Sequence, residues 1–159
     1  MNLDCKILAE EIIDKAVSVG KTISTAESCT GGMIAAVITS ISGSSQVFGY
    51  GFVTYSNDAK VKLLDVPEDV IKAKGAVSEE VALAMSYGAR MKSGADVALS
   101  VTGIAGPTGG TESKPVGLVY ISVSTERDTK VSRFIFQGDR DEIRNKTLHE
   151  GLLMILSEI

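Results

Sequence analysis

Two runs in the second half of the chain, 97–101 and 118–123, are mostly apolar instead of alternating between apolar and polar residues, and this constrains the fold more than any other feature. A strand with one face in water alternates. A strand apolar on both sides needs cover above and below, so a sheet lying between two layers of helix is expected. A third run, 131–136, reads as a strand nearer an edge. The covering helices are legible as well. Leu8, Ile12, Ala16 and Val19 recur at helical spacing before Gly20, a residue able to take the left-handed conformation that ends a helix. Residues 22–26 are short and β-prone, and they run through Glu27, Ser28, Cys29, Thr30, Gly31 and Gly32 into a helix of small and aliphatic residues at 33–38. Residues 47–55 form the next predicted strand, with Asn57 placed to cap a short helix containing Lys60 and Leu63. Pro67 suits the first turn of a further short helix, and Ser78, Glu79 and Glu80 open a longer one that turns Val81, Met85 and Ala89 inward before Gly94. Asp139 is the expected cap of the last helix, with Glu142 as its capping-box partner and Ile143, Leu148, Leu152 and Ile155 on the buried side.

A chain of 159 residues suits one hydrophobic core, and a single domain spanning 1–159 is expected. No run approaches the roughly 20 apolar residues of a membrane span. The N-terminus, Met1 to Lys6, has no basic segment followed by an apolar one, which points to a cytoplasmic protein without a membrane partner. Cys5 and Cys29 do not make a disulfide framework, and without clustered histidines they offer no closed metal site. A net charge of −4 and an isoelectric point near 5.0 argue against nucleic acid as a partner. A small phosphorylated ligand is compatible with that charge, because a few local cationic side chains and backbone N–H groups can hold one phosphate.

Several segments carry the means for chemistry. Ser28 lies where a strand gives way to a glycine-rich helix start, so its hydroxyl can project beside unpaired N–H groups able to hold an oxyanion; as a bland alternative it merely caps the helix. The single histidine, His149, sits far along the last helix, so a Ser-His-Asp triad is not expected. Tyr55 at a strand end and Lys60 in a first helical turn supply another base. Lys60 takes the serine proton directly or holds Tyr55 as a better base, and the positive helix end would favour a neutral amine. Equally, such a tyrosine is often half-packed and such a lysine solvated. Thr102, Gly103, Ile104, Ala105, Gly106 and Pro107 form a glycine-dense loop directly after a buried strand, where open α/β sheets bind ligands, with Lys114 able to close over it. Arg140 and Arg144 stand one turn apart at a helix start, where an anion would relieve their repulsion unless Asp139, Asp141 and Glu142 already do.

Three segments together, 25–32, 50–60 and 102–107, resemble the CinA C-terminal domain, or nicotinamide-nucleotide amidase, family, and the likeness covers nearly the whole chain. The resemblance implies an α/β fold, a three-layer α/β/α sandwich with a mixed, mostly parallel sheet. It implies hydrolysis of nicotinamide mononucleotide to nicotinate mononucleotide and ammonia, no metal or organic cofactor, and a homodimer. Carried onto this sequence, the nucleophile is Ser28 with Tyr55 and Lys60 as activators. Cys29, Thr30, Gly31, Gly32, Thr102, Gly103, Gly106, Lys114, Arg140 and Arg144 are the substrate-binding set, and which arginine meets the phosphate is left open. Many members of the family carry an additional N-terminal domain, and only the amidase portion is expected here. Two rival readings stand beside this one. In the first, Cys29 is the nucleophile, as a thiol at a helix N-terminus that ionises readily. In the second, the chain is a nucleotide-binding or competence-related module without catalysis.

Overall fold

The computed structural model describes residues 3–159, so Met1 and Asn2, which open the N-terminal segment read above for targeting, lie outside the described residues. Five strands form one sheet in the order β2-β1-β3-β4-β5: β1 Ile23–Glu27, β2 Phe48–Val53, β3 Val97–Gly103, β4 Leu118–Thr125 and β5 Thr129–Ile135. β1 pairs in parallel with both β2 and β3, and β4 pairs antiparallel with β3 and β5. Four strands therefore point one way and β4 alone points back, which makes the sheet mixed and mostly parallel. Six α-helices cover it: α1 Leu3–Val19, α2 Met33–Thr39, α3 Asn57–Leu64, α4 Glu68–Lys74, α5 Glu79–Ser93 and α6 Arg140–Glu158. The three-layer α/β/α arrangement follows from the double burial of β1, β3 and β4.

The two faces of the sheet are made differently. Toward α1, α2 and α6 it presents Ile23, Val97, Leu99, Val101, Val119, Ile121 and Val123, which pack with Ile12, Ile34, Ile38, Leu148 and Leu152 in the main core. Toward α5 it presents small residues. Ala26 and Ala98 pack with Val81, Met85 and Ala89. Ser93 bonds Ser24 at 3.0 Å, Ser100 donates to the Ala82 carbonyl at 2.7 Å, and the Ser86 and Ser122 hydroxyls meet at 2.7 Å. Short side chains let α5 lie close to the strands, and each of these hydroxyls finds a partner.

Most predicted boundaries hold to within two residues, and two details need correction. Val19 faces solvent, because the inward stripe of α1 runs through Cys5, Ala9, Ile12, Ile13 and Ala16. The cap of α3 is Ser56, not Asn57: Ser56 is extended and its hydroxyl accepts from the Ala59 N–H at 3.1 Å, leaving Asn57 as the first helical residue. The capping box of Asp139 and Glu142 is present at α6 as expected.

Gly88 marks the closest approach of α5 to its neighbours, since a Cβ placed there would lie 2.0 Å from the Leu64 carbonyl oxygen. Gly88→Ala should cost roughly 3 kcal/mol in urea denaturation, whereas Gly49→Ala, at a position with no atom within 4 Å of the added carbon, should leave the midpoint nearly unmoved.

Candidate active site

The site forms at the carboxyl ends of β1, β2 and β3. The helix following β1 lies on one face of the sheet and the helix following β2 on the other, so a crevice opens between their starts, the place where open α/β sheets take ligands. A cleft of about 250 Å³ there is lined by Ser28, Cys29, Tyr55, Lys60, Ala76, Val77, Thr102, Gly103, Ala105 and Arg140.

Ser28 is the first residue past β1, and its N–H donates to the Val101 carbonyl of β3 at 3.1 Å, which fixes its main chain to the sheet. The chain then turns through Gly31 and Gly32, with φ of 61° and 97°, a left-handed pair that glycine adopts without strain. Lys60, on α3, reaches the turn from the opposite side. Its Nζ stands 3.0 Å from Ser28 Oγ and donates to the Thr54 carbonyl at 2.7 Å. With 1% of its surface exposed it is among the most buried large side chains. Burial lowers its pKa from 10.5 to about 8, with the Cys29 thiol pulling weakly the other way. The neutral amine expected from the helix terminus has another cause here, removal from water. The solvated alternative for this lysine is likewise overturned.

Tyr55 lies two residues past β2, on the rim, 61% exposed, and its hydroxyl accepts from Arg140 Nη2 at 3.2 Å. Among the described residues it makes no hydrogen bond to Ser28 or Lys60. Arg140 also donates to the Gly106 carbonyl at 2.9 Å, so one guanidinium ties the strand-end tyrosine to the glycine-dense loop. Thr102 donates to the Ala76 carbonyl at 2.8 Å, which holds the 75–77 segment as a cleft wall. Lys114 stands apart: its Nζ is spent on the Lys74 carbonyl at the end of α4, and it does not line the cleft. Arg144 is also outside the lining, donating from Nε to the Cys29 carbonyl at 3.2 Å and from Nη2 to the Thr30 carbonyl at 3.0 Å. The two arginines thus have separate employment, and neither is merely solvated.

Cys29 is a poor thiolate here. It is buried, burial pushes its pKa up to about 12, and α2 begins four residues later behind Gly32, so the helix end does not serve it. The residue that takes the α2 N-terminus is Glu27, which the sequence reading did not single out. Its carboxylate, 1% exposed, accepts from the Thr30 hydroxyl at 2.6 Å and from the N–H groups of Gly32, Ile34 and Ala35 at 3.0, 3.1 and 2.8 Å. A carboxylate closing a buried strand just before a glycine-rich helix start was the available signal. Ala76, Val77 and Ala105, the apolar part of the lining, carry no chemical signal in the sequence. Among the described residues no group of His, Cys, Asp and Glu is gathered to hold a metal ion, and no helix is long and apolar enough to cross a membrane.

Residues 6–159 match the CinA C-terminal domain. The chain belongs to that family. A CinA-like protein of Citrifermentans bemidjiense is 57% identical over 133 residues, covering 84% of this chain and 32% of that protein. A putative competence-damage inducible protein of Caldicellulosiruptor bescii is 47% identical over 157 residues, covering 99% and 38%. The chain therefore spans about a third of the length of such relatives. A crystal structure of a competence/damage inducible protein from Agrobacterium tumefaciens superposes with a TM-score of 0.96 at 43% identity, covering 99% of both chains. A crystal structure of a competence-damaged protein (CinA) superfamily protein from Escherichia coli gives 0.94 at 29% identity, covering 100% of this chain and 93% of that one.

The buried amine sets a pH signature. An unfolded chain keeps the Lys60 proton up to a higher pH than the folded one does, so the contribution of this residue to stability rises between about pH 8 and 10.5 and is unfavourable below. Lys60→Met should accordingly lose roughly 2–3 kcal/mol of stability relative to the parent protein when urea melts at pH 6.5 and pH 10 are compared.

Proposed function

We propose that this CinA-family domain hydrolyses the carboxamide of nicotinamide mononucleotide to nicotinate mononucleotide and ammonia, with Ser28 as nucleophile and Lys60 as its base. The contact that carries the reading is the 3.0 Å hydrogen bond between Lys60 Nζ and Ser28 Oγ at the wall of an open cleft. A neutral amine has two N–H donors and one lone pair. With one N–H given to the Thr54 carbonyl, the lone pair is free to face Ser28 and take its proton.

The serine oxygen then bonds to the carboxamide carbon, and the carbonyl oxygen becomes an alkoxide. Collapse breaks the C–N bond, and the leaving nitrogen takes the proton from the Lys60 ammonium and departs as ammonia. Water, deprotonated in turn by Lys60, attacks the acyl-enzyme and releases the carboxylate with the serine proton restored. The donor for the alkoxide is the backbone N–H of Cys29, which lines the cleft and has no backbone acceptor among the described residues. Ala76, Val77 and Ala105 give the pyridine ring an apolar wall, and Arg140 at the rim, steadied by Tyr55, is the cation for the phosphate. Tyr55 thus serves the substrate end more directly than the proton.

Ammonia release from the mononucleotide tests this. Ser28→Ala and Lys60→Met should each lower kcat by roughly 10³-fold or more, and kcat/KM of the parent protein should climb about tenfold per pH unit up to about 8 and level above it. Parent-level activity in Ser28→Ala would end the reading.

A further inference from the structure

The turn after β1 is clamped by a buried carboxylate, Glu27, and a half-buried guanidinium, Arg144, and what they leave uncommitted is informative. Of the backbone N–H groups from Cys29 to Ala35, Gly31 donates to the Ser28 carbonyl at 3.0 Å and Met33 to the Thr30 carbonyl at 3.3 Å, while Gly32, Ile34 and Ala35 go to Glu27. Those of Cys29 and Thr30 remain. A trans peptide points its N–H opposite to its C=O, so whatever holds a carbonyl also aims the N–H that follows it. The Ser28 carbonyl is held by Gly31, which aims the Cys29 N–H, and the Cys29 carbonyl is held by Arg144 Nε, which aims the Thr30 N–H. Arg144 comes from α6, on the face of the sheet shared with α1 and α2, whereas Lys60 reaches Ser28 from α3 on the other face. Of the two residues, Cys29 lines the cleft with Ser28 and Lys60, and Thr30 is fully buried.

We infer that Arg144 is a positioning residue: by holding the Cys29 and Thr30 carbonyls it fixes the turn that presents the Cys29 N–H to the cleft as the oxyanion donor, and it is not a ligand of the substrate phosphate. The inference rests on Ser28 being the nucleophile. Arg144 has Nε and Nη2 committed to the turn and Nη1 at 3.7 Å from the Asp141 carboxylate, while its neighbour Arg140, one helical turn away, lines the cleft. Glu27 completes the arrangement from the opposite end. It takes the N–H groups of Gly32, Ile34 and Ala35, so the start of α2 is tied to the end of β1.

The experiment compares nicotinamide mononucleotide with its unphosphorylated riboside. Arg144→Met should lower kcat on both by about 10²-fold, the usual loss for one misplaced oxyanion donor, with the ratio of their KM values unchanged and the pH inflection near 8 retained, since Lys60 is untouched. Arg144→Lys, which keeps one cationic donor, should recover part of the rate. Arg140→Met should instead raise KM for the mononucleotide far more than for the riboside, so that the ratio of the two changes. A second readout needs no substrate assignment: a fluorophosphonate forms a Ser28 O–P bond, loses fluoride and gives the serine proton to Lys60, and its tetrahedral oxygen uses the same donor. The labelling rate, followed by mass, should fall about 10²-fold in Arg144→Met and partly return in Arg144→Lys. Labelling of the parent protein without ammonia release would sink the substrate reading and keep the positioning role. Unchanged labelling in Arg144→Met, or an Arg144→Met protein whose KM rises for the mononucleotide alone, would overturn the positioning role, and failure of the parent protein in both assays would overturn both.

Discussion

The arrangement turns on an amine kept out of water. Lys60 is folded into the wall between α3 and the sheet with two oxygens to bond, one on Ser28 and one on the Thr54 main chain. A lysine so enclosed gives up part of its affinity for a proton, and the same enclosure opposes folding at neutral pH. Stability is thereby exchanged for reactivity at one residue, and the surrounding structure must hold the pair together. It does so with main chain on both sides: β3 grips the Ser28 amide and β2 runs on through Thr54, whose N–H meets the Glu27 carbonyl at 2.9 Å.

Topology explains why such distant residues meet. Ser28, Tyr55 and Thr102 each stand at or just beyond the same ends of three adjacent parallel strands, so the sheet brings them together whatever the length of the helices between. The antiparallel return of β4 leaves Gly103 and the loop after it on that same edge, where Arg140 from the start of α6 ties the loop to Tyr55. The oxygen-rich turn after β1 carries two opposite charges, Glu27 on its amides and Arg144 on its carbonyls, and its shape is determined from both.

Much of this was written in the pattern of residue types. Unalternating runs required helices on both faces, and the caps Ser78 and Asp139 and the stops Gly20 and Gly94 marked the helix ends because each acts on its own few neighbours. Ser28 and Lys60 were visible as candidates, since a serine at a strand-to-helix turn and a lysine at a helix start are local signals. Their separation was not, because it depends on how deeply α3 sinks against the sheet, and that is decided by Leu64, Val66 and Ile71 packing under α5. The same limit hid the division of labour between Arg140 and Arg144, which are four residues apart and look alike in sequence but meet different partners. Glu27 was overlooked for the opposite reason: at the end of a short buried strand it reads as an exception, and only the amides of a helix that begins six residues later account for it.

The unequal faces of the sheet carry a thermal consequence. Aliphatic burial has a large heat-capacity signature and weakens on cooling, whereas hydroxyl-to-hydroxyl and hydroxyl-to-carbonyl contacts between short side chains do so far less. The layer of α1, α2 and α6 is held by the first kind and the layer of α5 substantially by the second. Chilling therefore weakens the seating of α1, α2 and α6 on the sheet more than it weakens the hydroxyl contacts of α5, and the helix supporting Arg144 belongs to that cold-sensitive layer.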